Sequence, residues 1–192
     1  MTTTRMEAFS DGVIAILITI MVLELHAPDA VTWQALRPIV PVFFAYVLSF
    51  VFLGIYWANH HHMLQLVDRV NGGILWANLH LLFWLSLIPF TTAWMGEHHQ
   101  ASRPTALYGI VLLFSGAAYT ILQRALIREQ GPQSRLARAI GRDAKALISV
   151  AIYAVAILCA FYHPGVSQLL YLAVVLMWLV PDRRIERTLP RD

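Results

Sequence analysis

Phe9-Ser10-Asp11-Gly12 places a carboxylate near the start of a long apolar run, and Asn59-His60-His61-His62 places three imidazoles in a row. Carboxylates and imidazoles together can pass protons, hold a metal ion, or tie two helices to each other. Neighbouring helical residues point about 100° apart, so His60 and His61 cannot readily share one ion, and paired ligands on a helix favour i, i+3 or i, i+4 spacing. No Ser-His-Asp or Cys-His arrangement at a common depth is evident, and no glycine-rich phosphate loop occurs. Gly12, Gly72, Gly73, Gly116 and Gly165 read as helix-packing or turn residues. The expectation is a protein that is not an enzyme and carries neither cofactor nor metal.

The elements that must position these groups follow from composition. Of 192 residues, 58% are hydrophobic and 13% charged, and the mean hydropathy is +0.62. The charges collect between long uncharged stretches, as the cost of an ion in hydrocarbon requires, which makes an integral membrane protein the expected class. Cys159 stands alone in an apolar run, so no intrachain disulfide can form. Glu24-Leu25-His26 after the first apolar run argues against a cleavable signal peptide.

A hydrocarbon core of about 30 Å needs roughly 20 apolar residues in a helix. Six runs are candidates, at about 5–25, 39–57, 72–95, 104–123, 146–161 and 166–180, within one all-α domain spanning 1–192. Pro41 suits a first turn, His163-Pro164-Gly165 a tight hairpin, and Pro181 a stop. With the N-terminus inside, Arg5, Arg69, Arg124, Arg128, Arg135, Arg138, Arg142, Lys145, Arg183, Arg184, Arg187 and Arg191 lie on the inner side, and only Arg37 and Arg103 lie outside. Both termini are therefore expected to be cytoplasmic. This arrangement accounts for the basic run from Arg124 to Lys145 without nucleic-acid binding, because an inner loop beside anionic lipid favours such residues. It also scatters the histidines. His26, His98, His99 and His163 fall outside, His60 to His62 fall inside, and His80 lies within the third run. A membrane di-metal oxidase is the enzyme-class alternative, and metal analysis of purified protein would test it.

Between Asp11 and Glu24 the uncharged stretch is too short to cross alone, so Phe9, Ser10 and Asp11 must enter the inner leaflet region or protein interior. At 100° per residue Ile16, Ile20 and Leu23 form one stripe, Phe9 and Gly12 extend it inward, Thr19 borders it, and Asp11 falls roughly opposite. On spacing alone the ordinary assignment of such a stripe is a helix–helix interface. Asp11 needs a partner, and a hydrogen bond to His60 or His61, with Ser10 and Trp57 joining and Arg5 as a further counter-ion, would tether the first helix to the second. Asp11→Asn is then expected to weaken folding or assembly. Glu24 reads as a solvated helix-end carboxylate or, alternatively, as a collector of cations.

Arg5, Phe9-Ser10-Asp11-Gly12, Ile16, Thr19 and Leu23 resemble the first helix of the endolysosomal potassium channel family called transmembrane protein 175. Tyr56-Trp57, His60-His61, Asn78-Leu79 and Pro89-Phe90-Thr91-Thr92 resemble that family's second and third helices. The resemblance implies a potassium-permeable cation channel of the cell inner (plasma) membrane, a homotetramer with the first helices around a central pore. It further implies that Ile16, Ile20 and Leu23 form a hydrophobic constriction, with Thr19 as a pore-near hydroxyl. Arg5, Phe9, Ser10, Asp11, Trp57, His60 and His61 would hold the first helix in place. Partners would be other copies of the chain, the lipid bilayer and monovalent cations. No Thr-Val-Gly-Tyr-Gly filter is present, which excludes carbonyl selection of that kind, and the ring of aliphatics that the resemblance implies can gate by dewetting instead. A proton-coupled secondary transporter using Asp11 and the histidines is the alternative.

Overall fold

The computed structural model describes residues 2–140 and 144–179, and the described residues form helices and short connections only. The elements are α1 (Thr3–Met21), α2 (Val40–Gln65), α3 (Gly72–Ser86), α4 (Ile88–Glu97), α5 (Ser102–Gln130), α6 (Arg135–Ile140), α7 (Ala144–Cys159) and α8 (Pro164–Leu179). Short 3-10 turns, Val22–Glu24 and Trp33–Ile39, close α1 and lead into α2. Four stretches are long and apolar enough to cross a membrane: Thr3–Glu24, Trp33–Gln65, Gly72–Glu97 and Ser102–Gln130. α7 and α8 are shorter apolar helices of 16 residues each. Val180, Pro181, Arg142 and the arginines from 183 onward lie outside the described residues.

Local chemistry explains the boundaries. Pro41 sits in the first turn of α2, where a missing N–H costs nothing. Asn71 caps α3 by accepting from the Ile74 N–H at 3.0 Å. The third apolar run is interrupted at Leu87, where Pro89 has no N–H for the carbonyl one turn back and a bond from Leu87 N to Trp84 O at 3.2 Å tightens the turn. α2 continues two turns beyond the expected limit at residue 57, through the histidines to Gln65.

α1 packs on α2, α3 and α4, while α5 joins α3 and α4 to the α7–α8 pair. The inward side of α1 is Met6, Ser10, Ile14, Leu17 and Met21, a helical spacing that meets the core. Hydroxyls cross-link the interior: Ser49 meets Thr92 at 2.7 Å and Tyr108 at 2.8 Å, and Tyr171 donates to Thr105 O at 3.0 Å. The α2–α3 connection is tied to the end of α5, where the Asn71 side chain donates to Glu129 at 2.6 Å and Gln130 donates to the backbone Arg69 O at 3.1 Å.

Two glycines permit the closest approaches. A methyl at Gly96 would lie 2.8 Å from the Val42 backbone, and one at Gly109 would run into the Tyr171 phenol and lie 2.9 Å from Ile157. Gly96→Ala and Gly109→Ala should each lower stability by about 1–3 kcal/mol through overpacking. Gly54→Ala, which meets nothing, should be neutral or slightly stabilising. Thermal unfolding of detergent-solubilised protein reads the difference, and equal melting temperatures in all three variants would contradict the packing.

Candidate functional site at the first helix

α1 has two unlike sides. Ser10 is fully buried, and its Oγ donates to Met6 O at 2.9 Å while accepting from Asn78 Nδ2 at 2.9 Å. The Asn78 Oδ1 accepts from His60 Nε2 at 2.8 Å. With the Asn78 amide nitrogen committed to Ser10, its oxygen faces a donor, so His60 carries its proton on Nε2. Nδ1 of His60 is buried without a partner among the described residues. Ser10, Asn78 and His60 thereby clamp α1, α3 and α2 together, all three at 2% exposure or less.

A second link lies one turn nearer the N-terminus. His61 Nδ1 donates to Glu7 Oε1 at 2.6 Å, Gln65 Nε2 donates to His61 Nε2 at 2.9 Å, and the Trp57 ring stacks on the imidazole at 6.2 Å between centroids. This orders His61 with its proton on Nδ1.

The expected Asp11–histidine bond is not formed. Both imidazoles are engaged by other residues, and the Asp11 Oδ1 is buried with no hydrogen-bond partner among the described residues. Ser10, and not Asp11, makes the hydrogen bond across to the neighbouring helices, so the tether passes through Ser10 and Asn78. Arg5 is exposed and, among the described residues, in no ion pair. Phe9 and Trp57 are about half exposed. Glu7 and the bridging role of Asn78 escaped the sequence reading. The available signal was an asparagine inside the apolar run Trp76-Ala77-Asn78-Leu79, which must find partners in hydrocarbon.

The opposite side of α1 and of the 3-10 turn that continues it, which carries Leu23, is bare. Phe9 is 53% exposed, Ile16 59%, Ile20 39% and Leu23 70%, whereas Met6, Ile14 and Met21 are at 1%. Thr19, exposed beside them, bonds back to Ile16 O at 2.9 Å. The stripe expected from helical periodicity is therefore a contiguous apolar surface that one copy of the chain leaves uncovered, and it faces away from the polar clamp. Elsewhere, Trp84 donates to His80 Nε2 at 3.0 Å. Among the described residues no three His, Cys, Asp or Glu side chains gather where they could hold one ion.

Comparison with known proteins gives the family of the chain. The model of the family described as the endosomal/lysosomal potassium channel TMEM175 matches residues 5–89, the stretch holding the clamp and the bare stripe. A protein of Chryseobacterium sp. (strain P1-3), named a potassium channel, is 53% identical over 192 residues, covering 100% of both chains. A Streptomyces collinus protein, also named a potassium channel, is 36% identical over 132 residues, 65% of this chain and 64% of that one. The crystal structure of a lysosomal potassium-selective channel TMEM175 homolog from Chamaesiphon minutus superposes with a TM-score of 0.76 at 26% identity, covering 94% of this chain and 97% of that one. With full-length identity at this level, a matching family model and a matching fold, the chain belongs to the TMEM175 family.

Proposed function

We propose that this protein is a potassium-permeable cation channel whose conduction path is bounded by α1. The observation that carries the reading is the bare aliphatic stripe on α1, in a chain whose relatives are named potassium channels. Large apolar side chains left open on one copy call for lipid, another copy or a shared conduit, and a stripe bordered by Thr19 suits the last. In this reading four copies surround a central axis. Ile16, Ile20 and Leu23 form the constriction, and Thr19 offers a hydroxyl near the permeant potassium ion. Each copy spans the inner (plasma) membrane six times with both termini cytoplasmic, in keeping with the distribution of arginine and lysine along the sequence. Arg5, Phe9, Asp11 and Trp57 complete the inner collar around the Ser10–Asn78–His60 and Glu7–His61 links. The proton-coupled carrier loses support, since Asp11 hydrogen-bonds to neither His60 nor His61.

Planar bilayers containing the purified protein, under opposed potassium and sodium gradients, test the proposal. Discrete unitary currents with a reversal potential displaced toward that of potassium are expected. Slow saturable flux without unitary events would overturn the channel and restore the carrier.

A further inference from the structure

A cavity of about 60 Å³ lies between α2, α5, α7 and α8, on the side of the protomer away from α1. Its walls are mainly aliphatic and aromatic, and its lining includes Tyr56, Tyr153, Gly116 and Val150. Tyr153 is 3% exposed, and Val150, at 43%, lies on an outward surface of α7. The other polar groups of the lining are already satisfied. Asn59 donates to Ile55 O at 2.9 Å, Thr120 to Gly116 O at 2.9 Å, and Ser149 to Lys145 O at 2.8 Å while accepting from Trp178 at 2.9 Å. Tyr119 donates to Asn59 O at 3.2 Å. The phenol hydroxyls of Tyr56 and Tyr153 have no hydrogen-bond partner among the described residues.

We propose that this cavity binds a small neutral amphiphile through an acceptor oxygen, a ketone or ester carbonyl on an apolar chain. Two phenols left as donors among apolar walls fix the polar half of the ligand, because an O–H that finds no acceptor in the protein is one that a carbonyl oxygen can satisfy. The walls fix the other half. A space of this size takes the carbonyl and a few adjoining carbons, and the remainder of the chain runs out past Val150 toward the bilayer. α2 presents Tyr56 to this cavity and His60 to the clamp on α1, so the occupant rests on the helix that holds the first helix in place.

The test uses the full chain in detergent and a long-chain methyl ketone bearing a diazirine, with unlabelled 2-nonanone as competitor and mass spectrometry to map the photoproducts. Saturable, competable labelling of residues 113–120, 146–153 and 174–178 is expected. In the Tyr56→Phe/Tyr153→Phe variant the saturable fraction should require roughly fivefold to tenfold more probe, with the melting temperature unchanged or raised, because the removed hydroxyls have no protein partner. A diazirine-bearing alkane of equal length should show no saturable component there. Diffuse labelling over all outward helix faces would overturn the proposal, as would equal labelling by the alkane. So would a double variant that binds as wild type. A double variant that melts lower would mean that ordered water already holds the hydroxyls, and that too would overturn it.

Discussion

Leu23→Ser and Ile16→Ser should each raise basal potassium flux through reconstituted protein by roughly tenfold or more. Burying or exposing a leucine or isoleucine side chain changes its free energy by about 1.5–3 kcal/mol, and about 1.4 kcal/mol off a barrier is tenfold in rate. A ring that opposes ions by refusing water needs its aliphatic surface, and a hydroxymethyl in its place lets water persist. The same substitutions should leave the fold almost unchanged, since Leu23 is 70% and Ile16 59% exposed within the protomer. Leu17→Ser is the contrasting case. Leu17 is buried on the opposite side of α1, so its variant should lose stability and gain no conductance. Potassium-driven flux into liposomes measures both. Unchanged flux in both surface variants would remove Ile16 and Leu23 from any constriction.

The two faces of α1 were legible in the sequence because helical periodicity is a one-dimensional property. Phe9, Ile16, Ile20 and Leu23 recur at the period of one face, and the structure leaves that face uncovered. Each of the six apolar runs likewise falls largely on helix over its described residues, since length and hydropathy dominate in such segments. What lay beyond reach was the relation between segments. Asp11 carries the formal charge, yet it is its neighbour Ser10 that is fully enclosed and bonded across to α3, its own proton held by Met6 O. Which residue of the third run would meet Ser10 depended on the relative depth of two helices, which no spacing within either helix encodes. The same holds for Glu7 and His61. The interruption at Leu87 could have been read from Pro89, because an interior proline removes a backbone bond wherever it falls. The two-turn extension of α2 shows the converse, that histidines past an apolar run do not end a helix when a neighbouring helix pairs with them.

Asn78→Leu should be the most damaging single change at the clamp, because Asn78 is the one residue bonded to both other members. Leucine keeps the branching of asparagine and leaves no cavity, so beyond the room its bulkier methyls require the loss is one of hydrogen bonding. It strips the acceptor from His60 Nε2, which is 1% exposed and has no other partner in the described structure, and a buried donor left unmade costs about 1–3 kcal/mol. Bonds between membrane helices average nearer 0.6 kcal/mol because an unfolded chain in lipid finds other partners, so the expected loss lies toward the lower half of that range. Ser10→Ala should cost less, since Ser10 satisfies its own proton on Met6 O and only one Asn78 N–H is orphaned. The diagnostic variant is the double one. Replacing His60 by Phe in the Asn78→Leu background removes the orphaned donor as well, and apolar groups of similar shape in place of both partners should recover most of the lost stability. Melting temperature in detergent would show the fall and the recovery, and flux measured on the recovered variant would separate holding α1 in place from conducting ions past it. If Asn78→Leu melts with the wild type, or if His60→Phe adds its own loss to that of Asn78→Leu, the clamp does not bind the three helices as a unit, and the positioning of the aliphatic stripe must come from the packing of Met6, Ile14, Leu17 and Met21 alone.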